Sequence, residues 1–328
     1  MRILYAIQGT GNGHISRARA IVPLLQQYGN LDLLISGTQA DVSLIENVKY
    51  ELHGFSFIFG RKGGVNHYET WRSMNLPRFV RDMNKLPLED YNLIINDFEP
   101  VTAWACKRKG LESVGLSHQA SFQSRNVPRP KSIDWAQLVL KYYAPASHYV
   151  GFHFEKYDHF INTPVIRSQI RELQVRDDDH YTVYLPAIDD KFLIPILHQL
   201  PHVQWQVFSK HAIVAYTSKN VQVNLINNEQ YNASLASCTG LLTGGGFEGP
   251  AEALFLGKKL LVVPMKFQYE QQCNAFALKK FGIPVIWGSN KNWLPVLKEW
   301  IDHGRVIHVD YPDETASVID RLVKQFAR

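Results

Sequence analysis

Three consecutive glycines, Gly244-Gly245-Gly246, constrain this chain more than any other feature. They follow the apolar run Gly240–Thr243 and precede Phe247-Glu248-Gly249-Pro250-Ala251-Glu252, which has a helical pattern. Strand, glycine turn and helix in that order leave backbone N–H groups bare beside a positive helix end, where a diphosphate can sit. A second such turn, Gly9-Thr10-Gly11-Asn12-Gly13-His14, follows the strand Arg2–Ile7. One turn in each half of a 328-residue chain predicts two α/β domains that handle a phosphate compound in the cleft between them.

The rest of the pattern agrees. In the first half, strands are expected at Leu31–Ser36, Asn92–Asn96 and Ser113–Leu116, and helices at Ile15–Tyr28, Gln39–Glu46 and Pro100–Lys109. Gly29 stops the first helix and Pro23 should kink it. In the second half, strands are expected at Tyr181–Leu185, Val203–Phe208, Val221–Leu225, Gly240–Thr243, Lys259–Val263 and Pro284–Ile286. Helices are expected at Asp190–Leu200, Gln230–Ser237, Glu248–Leu256, Tyr269–Phe281, Lys291–Ile301 and Glu314–Phe326. Continuous apolar strands between helices predict parallel sheets covered on both faces. The fold class is therefore α/β, with two doubly wound Rossmann-like domains facing across a cleft. Ligands in such sheets bind beyond the carboxyl ends of the strands, where both glycine turns fall. The boundary is expected near Asn162-Thr163-Pro164, giving domains 1–162 and 163–310, with a terminal helix in 311–328.

Composition excludes several classes. No run of 18 apolar residues occurs, so no membrane-spanning helix is expected. Met1-Arg2 leads straight into the first strand, which does not read as a signal peptide. Cys106, Cys238 and Cys273 have no metal-ligand spacing and read as reduced, buried thiols of a cytoplasmic protein. Of the net charge of +5, residues 61–85 carry a large share, with Arg61, Lys62, Arg72, Arg78, Arg81 and Lys85 against Glu69 and Asp82. Tyr68, Trp71, Met74, Leu76 and Phe79 are interleaved with them. Such a stretch suits either the anionic surface of a membrane, with peripheral attachment, or a solvated helix with an ordinary core face. The excess is too local for nucleic-acid binding.

Several side chains at the turns have the chemistry to act. His14, at the start of the first helix, is a candidate general base, because a helix N-terminus favours neutral imidazole. Asp97 and Glu99 end the strand Asn92–Asn96, and either can orient His14 or bind an acceptor. Capping the helix from Pro100 is an equally good role for a carboxylate there. Glu252 can accept two hydrogen bonds from adjacent hydroxyls, as a ribose offers, or can be an exposed helix glutamate. Gln271 and Gln272 can donate to and accept from sugar hydroxyls, or can lie on a solvated face. No His/Cys/Asp set has zinc spacing, so no metal and no other cofactor is expected.

These residues resemble the GT-B fold nucleotide-sugar glycosyltransferases. The most similar group contains the N-acetylglucosaminyltransferase that acts on the peptidoglycan lipid intermediate. The similarity is strongest over Arg2–Leu25 and Val221–Ala275, in the order Gly246, Glu252, Pro264, Gln271-Gln272, Asn274-Ala275. The resemblance implies a donor site in which Gly244, Gly245, Gly246, Phe247 and Glu248 meet the diphosphate. Glu252 then meets the ribose, Gln271 and Gln272 the sugar, and Ile226 the base. It implies that Gly9, Thr10, Gly11, Asn12 and Gly13 form an acceptor-side loop with His14 as base, and that the terminal helix crosses back to the first domain. Gly9–Ser16, continuing into Arg17, also resembles a less characterised subgroup whose acceptors cannot be carried over. The chain departs at Leu185-Pro186-Ala187, where the peptidoglycan enzyme has glycines, and does not match over 55–90 and 120–160.

The implied activity is an inverting, metal-independent transfer of a sugar from a UDP-sugar to a hydroxyl, on a lipid-linked or cell-envelope glycan acceptor. Rivals on the same fold are a nucleotide-sugar 2-epimerase, a hydrolase, or a non-catalytic nucleotide-sugar binding protein. A dinucleotide oxidoreductase fits poorly, since the third glycine of G-x-G-x-x-G is absent after Gly9 and Gly11.

Overall fold

The computed structural model describes all residues except 11, 38–47, 55–74, 131–134, 267 and 289–292. The expected helix Gln39–Glu46, Gly11 of the first turn and residues 61–74 of the basic stretch lie outside the described residues.

The first unit is a seven-stranded sheet with strand order β3-β2-β1-β4-β5-β6-β7, parallel at every pairing. Its strands are β1 (Arg2–Gln8), β2 (Asn30–Ser36), β3 (Tyr50–Leu52), β4 (Leu93–Asp97), β5 (Val114–Ser117), β6 (His148–Phe152) and β7 (Ile161–Asn162). Helices α1 (Asn12–Leu25), α2 (Leu76–Lys85), α3 (Pro100–Lys109) and α4 (Trp135–Tyr142) belong to the same half. β1 shows why the sheet is buried on both faces. Ile3, Tyr5 and Ile7 pack with Ile15, Ala18, Ile21 and Val22 of α1, whereas Leu4 and Ala6 pack with Val101, Ala105 and Cys106 of α3. A period of two sends alternate side chains to opposite helical layers, so every position must be apolar.

After α5 (Ser168–Arg171) comes a six-stranded sheet, β10-β11-β9-β8-β12-β13. It contains β8 (His180–Tyr184), β9 (Gln204–Ser209), β10 (Tyr216–Ser218), β11 (Val221–Leu225), β12 (Gly240–Gly244) and β13 (Lys259–Val263). Only the edge strand β10 runs antiparallel. The helices are α6 (Asp190–Leu197), α7 (Asn228–Ser237), α8 (Glu248–Phe255), α9 (Tyr269–Lys280), α10 (Trp293–His303) and α11 (Thr315–Phe326). One buried apolar cluster spans both sheets through Phe154 and Phe247, whose ring centroids are 5.0 Å apart. In α11, Val318, Ile319, Leu322 and Val323 enter this cluster, and Asp320 accepts a bond from Tyr28 Oη at 3.0 Å, just beyond α1.

Some elements differ from the pattern. α1 begins three residues before Ile15, because its first turn, Asn12-Gly13-His14, is polar and carries no apolar period. The stretch Pro284–Ile286 is reduced to a single bridge between Val285 and Val262. Strands β3, β6, β7 and β10 give no clear apolar run, being short or partly polar. All three cysteines are buried, and none is in a disulfide.

Candidate active site

Candidate side chains from both halves gather near the carboxyl ends of the parallel strands. In the first sheet the strand order reverses between β1 and β4, and the loop after each meets the other there. His14, in the first turn of α1, places Nδ1 2.7 Å from Asp97 Oδ1 at the end of β4. The neighbouring acid, Glu99, faces elsewhere. It caps α3 by accepting from the Val101 and Thr102 N–H groups at 2.7 Å, and accepts from Ser36 Oγ at 2.6 Å. Phe98 between them has a φ of 55°, in the left-handed region that a bulky residue seldom enters. Its ring lies parallel to the His14 imidazole, with centroids 6.3 Å apart.

Asp97 is fully buried and heavily supported. Arg17 donates to it from Nε at 3.2 Å and from Nη2 at 2.7 and 3.0 Å, and Tyr5 Oη donates at 3.3 Å. Burial alone would raise this carboxyl, but the charges of Arg17 and His14 outweigh it and hold it below its ordinary range. An ionised Asp97 accepts the Nδ1 proton, which leaves the Nε2 lone pair of His14 to act as a base. Nε2 makes no hydrogen bond among the described residues.

The second glycine turn separates into architecture and open space. A Cβ on Gly245 would come within 2.7 Å of the Gln271 carbonyl oxygen and 3.0 Å of Pro264. A Cβ on Gly246 would meet nothing within 4 Å, and one on Gly244 only Gln271 Oε1 at 3.8 Å and Val263 O at 4.0 Å. Gly245 therefore permits close packing, whereas Gly244 and Gly246 hold open a space at the N-terminus of α8. At this end α8 presents the N–H groups of Glu248 and Gly249, since Pro250 has none.

The two halves touch around this turn. Arg17 Nη1 donates to Glu248 Oε1 at 2.8 Å. Glu248 lies so near the first turn that a Cβ on Gly13 would be 2.6 Å from its Oε2, so a larger residue there would have to displace the Glu248 carboxylate. A Cβ on Gly9 would likewise meet Ile35 at 2.8 Å, and Thr10 accepts a bond from Gln8 Nε2 at 3.0 Å. His118 stacks on Phe247 with centroids 3.8 Å apart and an interplanar angle of 7°. Its Nδ1 bonds the Phe152 carbonyl and its Nε2 bonds Asn274 Oδ1, both at 2.8 Å. Burial pushes His118 below its ordinary value.

The remaining candidates sit as follows. Glu252 is buried rather than exposed, and both its oxygens accept from Arg167, at 2.6 and 2.8 Å. Burial outweighs this pairing and keeps the Glu252 carboxyl above its ordinary range. Gln271 is half-buried, and its Oε1 accepts from the Met265 N–H at 2.9 Å. Gln272 lines a cavity of about 610 Å³ together with Met265, Phe276 and Trp287. Ile226, just past the end of β11, is 46% exposed. Arg17, Arg167 and His118 were not legible as site residues. Arg17 had a signal, since it lies three residues after His14 and shares its helix face. Arg167 had none, because 85 residues separate it from Glu252. Among the described residues no group of three or more His, Cys, Asp or Glu side chains is arranged to hold a metal.

Comparison with known proteins agrees with this architecture. The sequence profile of glycosyl transferase family 1 matches residues 1–302. No curated protein matches the chain. Among solved structures, Acinetobacter baumannii MurG superposes with a TM-score of 0.60 at 13% identity, covering 99% of each chain. The calicheamicin glycosyltransferase CalG4 gives 0.59 at 14% identity, covering 99% of this chain and 94% of its own. Phytolacca americana UGT2, complexed with UDP-2fluoro-glucose and pterostilbene, gives 0.57 at 13%, with the same coverage. At these identities the likeness is one of fold.

Proposed function

Because the chain belongs to glycosyl transferase family 1 and is a GT-B glycosyltransferase, we propose that it transfers a sugar from a UDP-sugar to an acceptor hydroxyl, with inversion and without a metal. The observation that carries this is the pairing of His14 with a buried Asp97 beside the open turn Gly244–Gly246. In the proposed step the acceptor O–H gives its proton to His14 Nε2, and its oxygen attacks the anomeric carbon from the face opposite the leaving group. The bond from that carbon to the diphosphate breaks, and UDP departs with the electron pair. Asp97 stabilises the imidazolium that forms. The developing charge on the diphosphate falls on the turn N–H groups and the positive end of α8. Glu248 at that end shares the Arg17 guanidinium with Asp97, which draws its carboxylate toward the first half.

We assign residues 1–162 to the acceptor, 163–310 to the donor, and 311–328 to the helix that crosses back. Within the donor half, Glu252 receives the ribose, Gln271 and Gln272 the sugar, and Ile226 the base. UDP is favoured as the nucleotide because UGT2 of the same fold carries a UDP-sugar analogue. A lipid-linked or cell-envelope acceptor is favoured by the fold shared with MurG and by the basic stretch 61–85. Its described part, α2, exposes Leu76 and Val80 beside Arg78, Arg81 and Lys85. No helix among the described residues is long and apolar enough to cross a membrane, and we place the protein at the cytoplasmic face as a peripheral enzyme.

Calorimetric titration with UDP, GDP and ADP, without added metal, tests the donor site. UDP binding in the micromolar range that is lost in Glu252→Ala is expected, and no binding of any nucleoside diphosphate refutes the proposal. Flotation with anionic liposomes tests the membrane surface, and salt-independent absence of binding removes it.

A further inference from the structure

Arg17 is the one described side chain that touches both the carboxylate behind His14 and the helix behind the glycine turn. Its side chain is only 3% exposed. One edge of the guanidinium, Nε and Nη2, faces Asp97, and Nη2 also lies 3.1 Å from His14 Nδ1. The remaining nitrogen, Nη1, reaches 231 residues along the chain to Glu248, the first residue of α8. Guanidinium is planar, and its donors have a fixed relation to one another, so turning one edge turns the other. The position of Glu248 therefore sets the plane of the guanidinium. That plane sets the Asp97 carboxylate, and Asp97 sets the direction of the His14 ring through Nδ1.

We propose that Arg17 is a positioning residue that aligns the His14–Asp97 pair only while the donor half, through Glu248, is docked against the first half. This rests on the transferase reading of the site. It also changes the role of Glu248. Its place at the start of α8 suggests direct contact with the donor diphosphate, yet its carboxylate is held by Arg17 on the opposite side of the cleft. An acid beside a diphosphate would repel it, whereas an acid that holds Arg17 in line has a use. A purely structural Arg17, acting only as counter-ion to buried Asp97, would need no third contact.

Steady-state kinetics and UDP calorimetry on wild type, Glu248→Gln, Arg17→Lys, Asp97→Asn and the Glu248→Gln/Asp97→Asn double variant test this. In Glu248→Gln, kcat is expected to fall on the order of tenfold while UDP binds as tightly as before or tighter. A residue that holds the donor directly would instead weaken UDP binding. Arg17→Lys keeps the charge and loses the fork, and is expected to share the kcat defect. In the Asp97→Asn background the Glu248→Gln change should have little further effect, because both act on one chain of contacts. Additive losses, or weaker UDP binding with unchanged kcat, overturn the proposal. ¹⁵N spectra of the His14 ring read the same linkage without substrate. Wild type should show one tautomer with its proton on Nδ1, and Glu248→Gln a mixture. If wild type turns over no UDP-sugar, the transferase reading falls, and the spectra alone decide the linkage. Identical spectra in the two proteins overturn it.

Discussion

Adjacent glycines in the second glycine turn should respond to the same substitution in opposite ways. In Gly245→Ala the new methyl would lie 2.7 Å from the Gln271 carbonyl oxygen and 3.0 Å from both Pro264 Cβ and Gln271 Cβ. Backbone and a proline ring cannot swing aside as a flexible side chain does, so the turn and α9 must separate. Overpacking of this kind costs about 1–3 kcal/mol. For a cooperative unit of roughly 150–250 residues, each kcal/mol lowers Tm by about 2–4 °C, giving a drop of roughly 2–12 °C. In Gly246→Ala the methyl enters space with no atom within 4 Å, at a backbone angle outside the left-handed region. Stability should hold or rise by about 0.4–1 kcal/mol, because the unfolded chain loses freedom. Under the proposed donor assignment, the same methyl would stand where the diphosphate approaches the bare N–H groups. Losing one charge-assisted hydrogen bond costs about 1.5–3 kcal/mol, or roughly ten- to a hundredfold in UDP affinity. Scanning calorimetry and UDP titration on the two variants are the assays. A Gly246→Ala protein that binds UDP like wild type would refute the phosphate cradle. A Gly245→Ala protein as stable as wild type would refute the packing argument.

Other outcomes follow from the site. His14→Gln should lower kcat by about 10²–10⁴ with UDP affinity unchanged, since the base acts on the acceptor and not on the nucleotide; equal loss in both would argue against it. Glu99→Gln should lower Tm, with a cost of about 1–3 kcal/mol for the disturbed cap and the Ser36 bond, and leave turnover intact, because Glu99 faces α3 and not the cleft. Burial depresses both His118 and His153 at the junction of the halves. As pH falls from about 6.5 the unfolded chain takes up these protons before the folded one does, so their contribution is complete above that pH and is lost progressively as pH falls toward the lower folded values. Thermal melts from pH 8 to pH 5 should show this loss, and His118→Asn/His153→Asn should flatten the profile. Removing Arg167 strands a buried carboxylate, so Arg167→Ala should cost about 3–5 kcal/mol, and Arg167→Met with Glu252→Leu should recover much of it.

Most of the architecture was legible in the sequence because strand and helix periods are local properties. Continuous apolar strands such as Ile3–Ile7 and Leu260–Val263 demand cover on both faces, and parallel sheets supply it. Glycine turns after apolar runs put His14 and Gly244–Gly246 at strand ends from local pattern alone. The short strands β3, β6, β7 and β10 escaped because their pairing comes from neighbours already in place, not from their own composition.

The site needed the tertiary structure. Asp97 and Glu99 are two residues apart, and an extended chain would send both to the same side. The left-handed φ of Phe98 breaks that alternation, so Asp97 meets His14 and Glu99 caps a helix. Three identical glycines cannot be told apart in sequence, yet Pro264 and Gln271 press on Gly245 alone at close range. Two α/β units and the turns where a phosphate ligand can sit follow from spacing along the chain and need no knowledge of the packed molecule. That Arg17 meets Glu248 and Arg167 meets Glu252 depends on how the two halves pack, because a buried charge must find its counter-ion in space, wherever along the chain that lies.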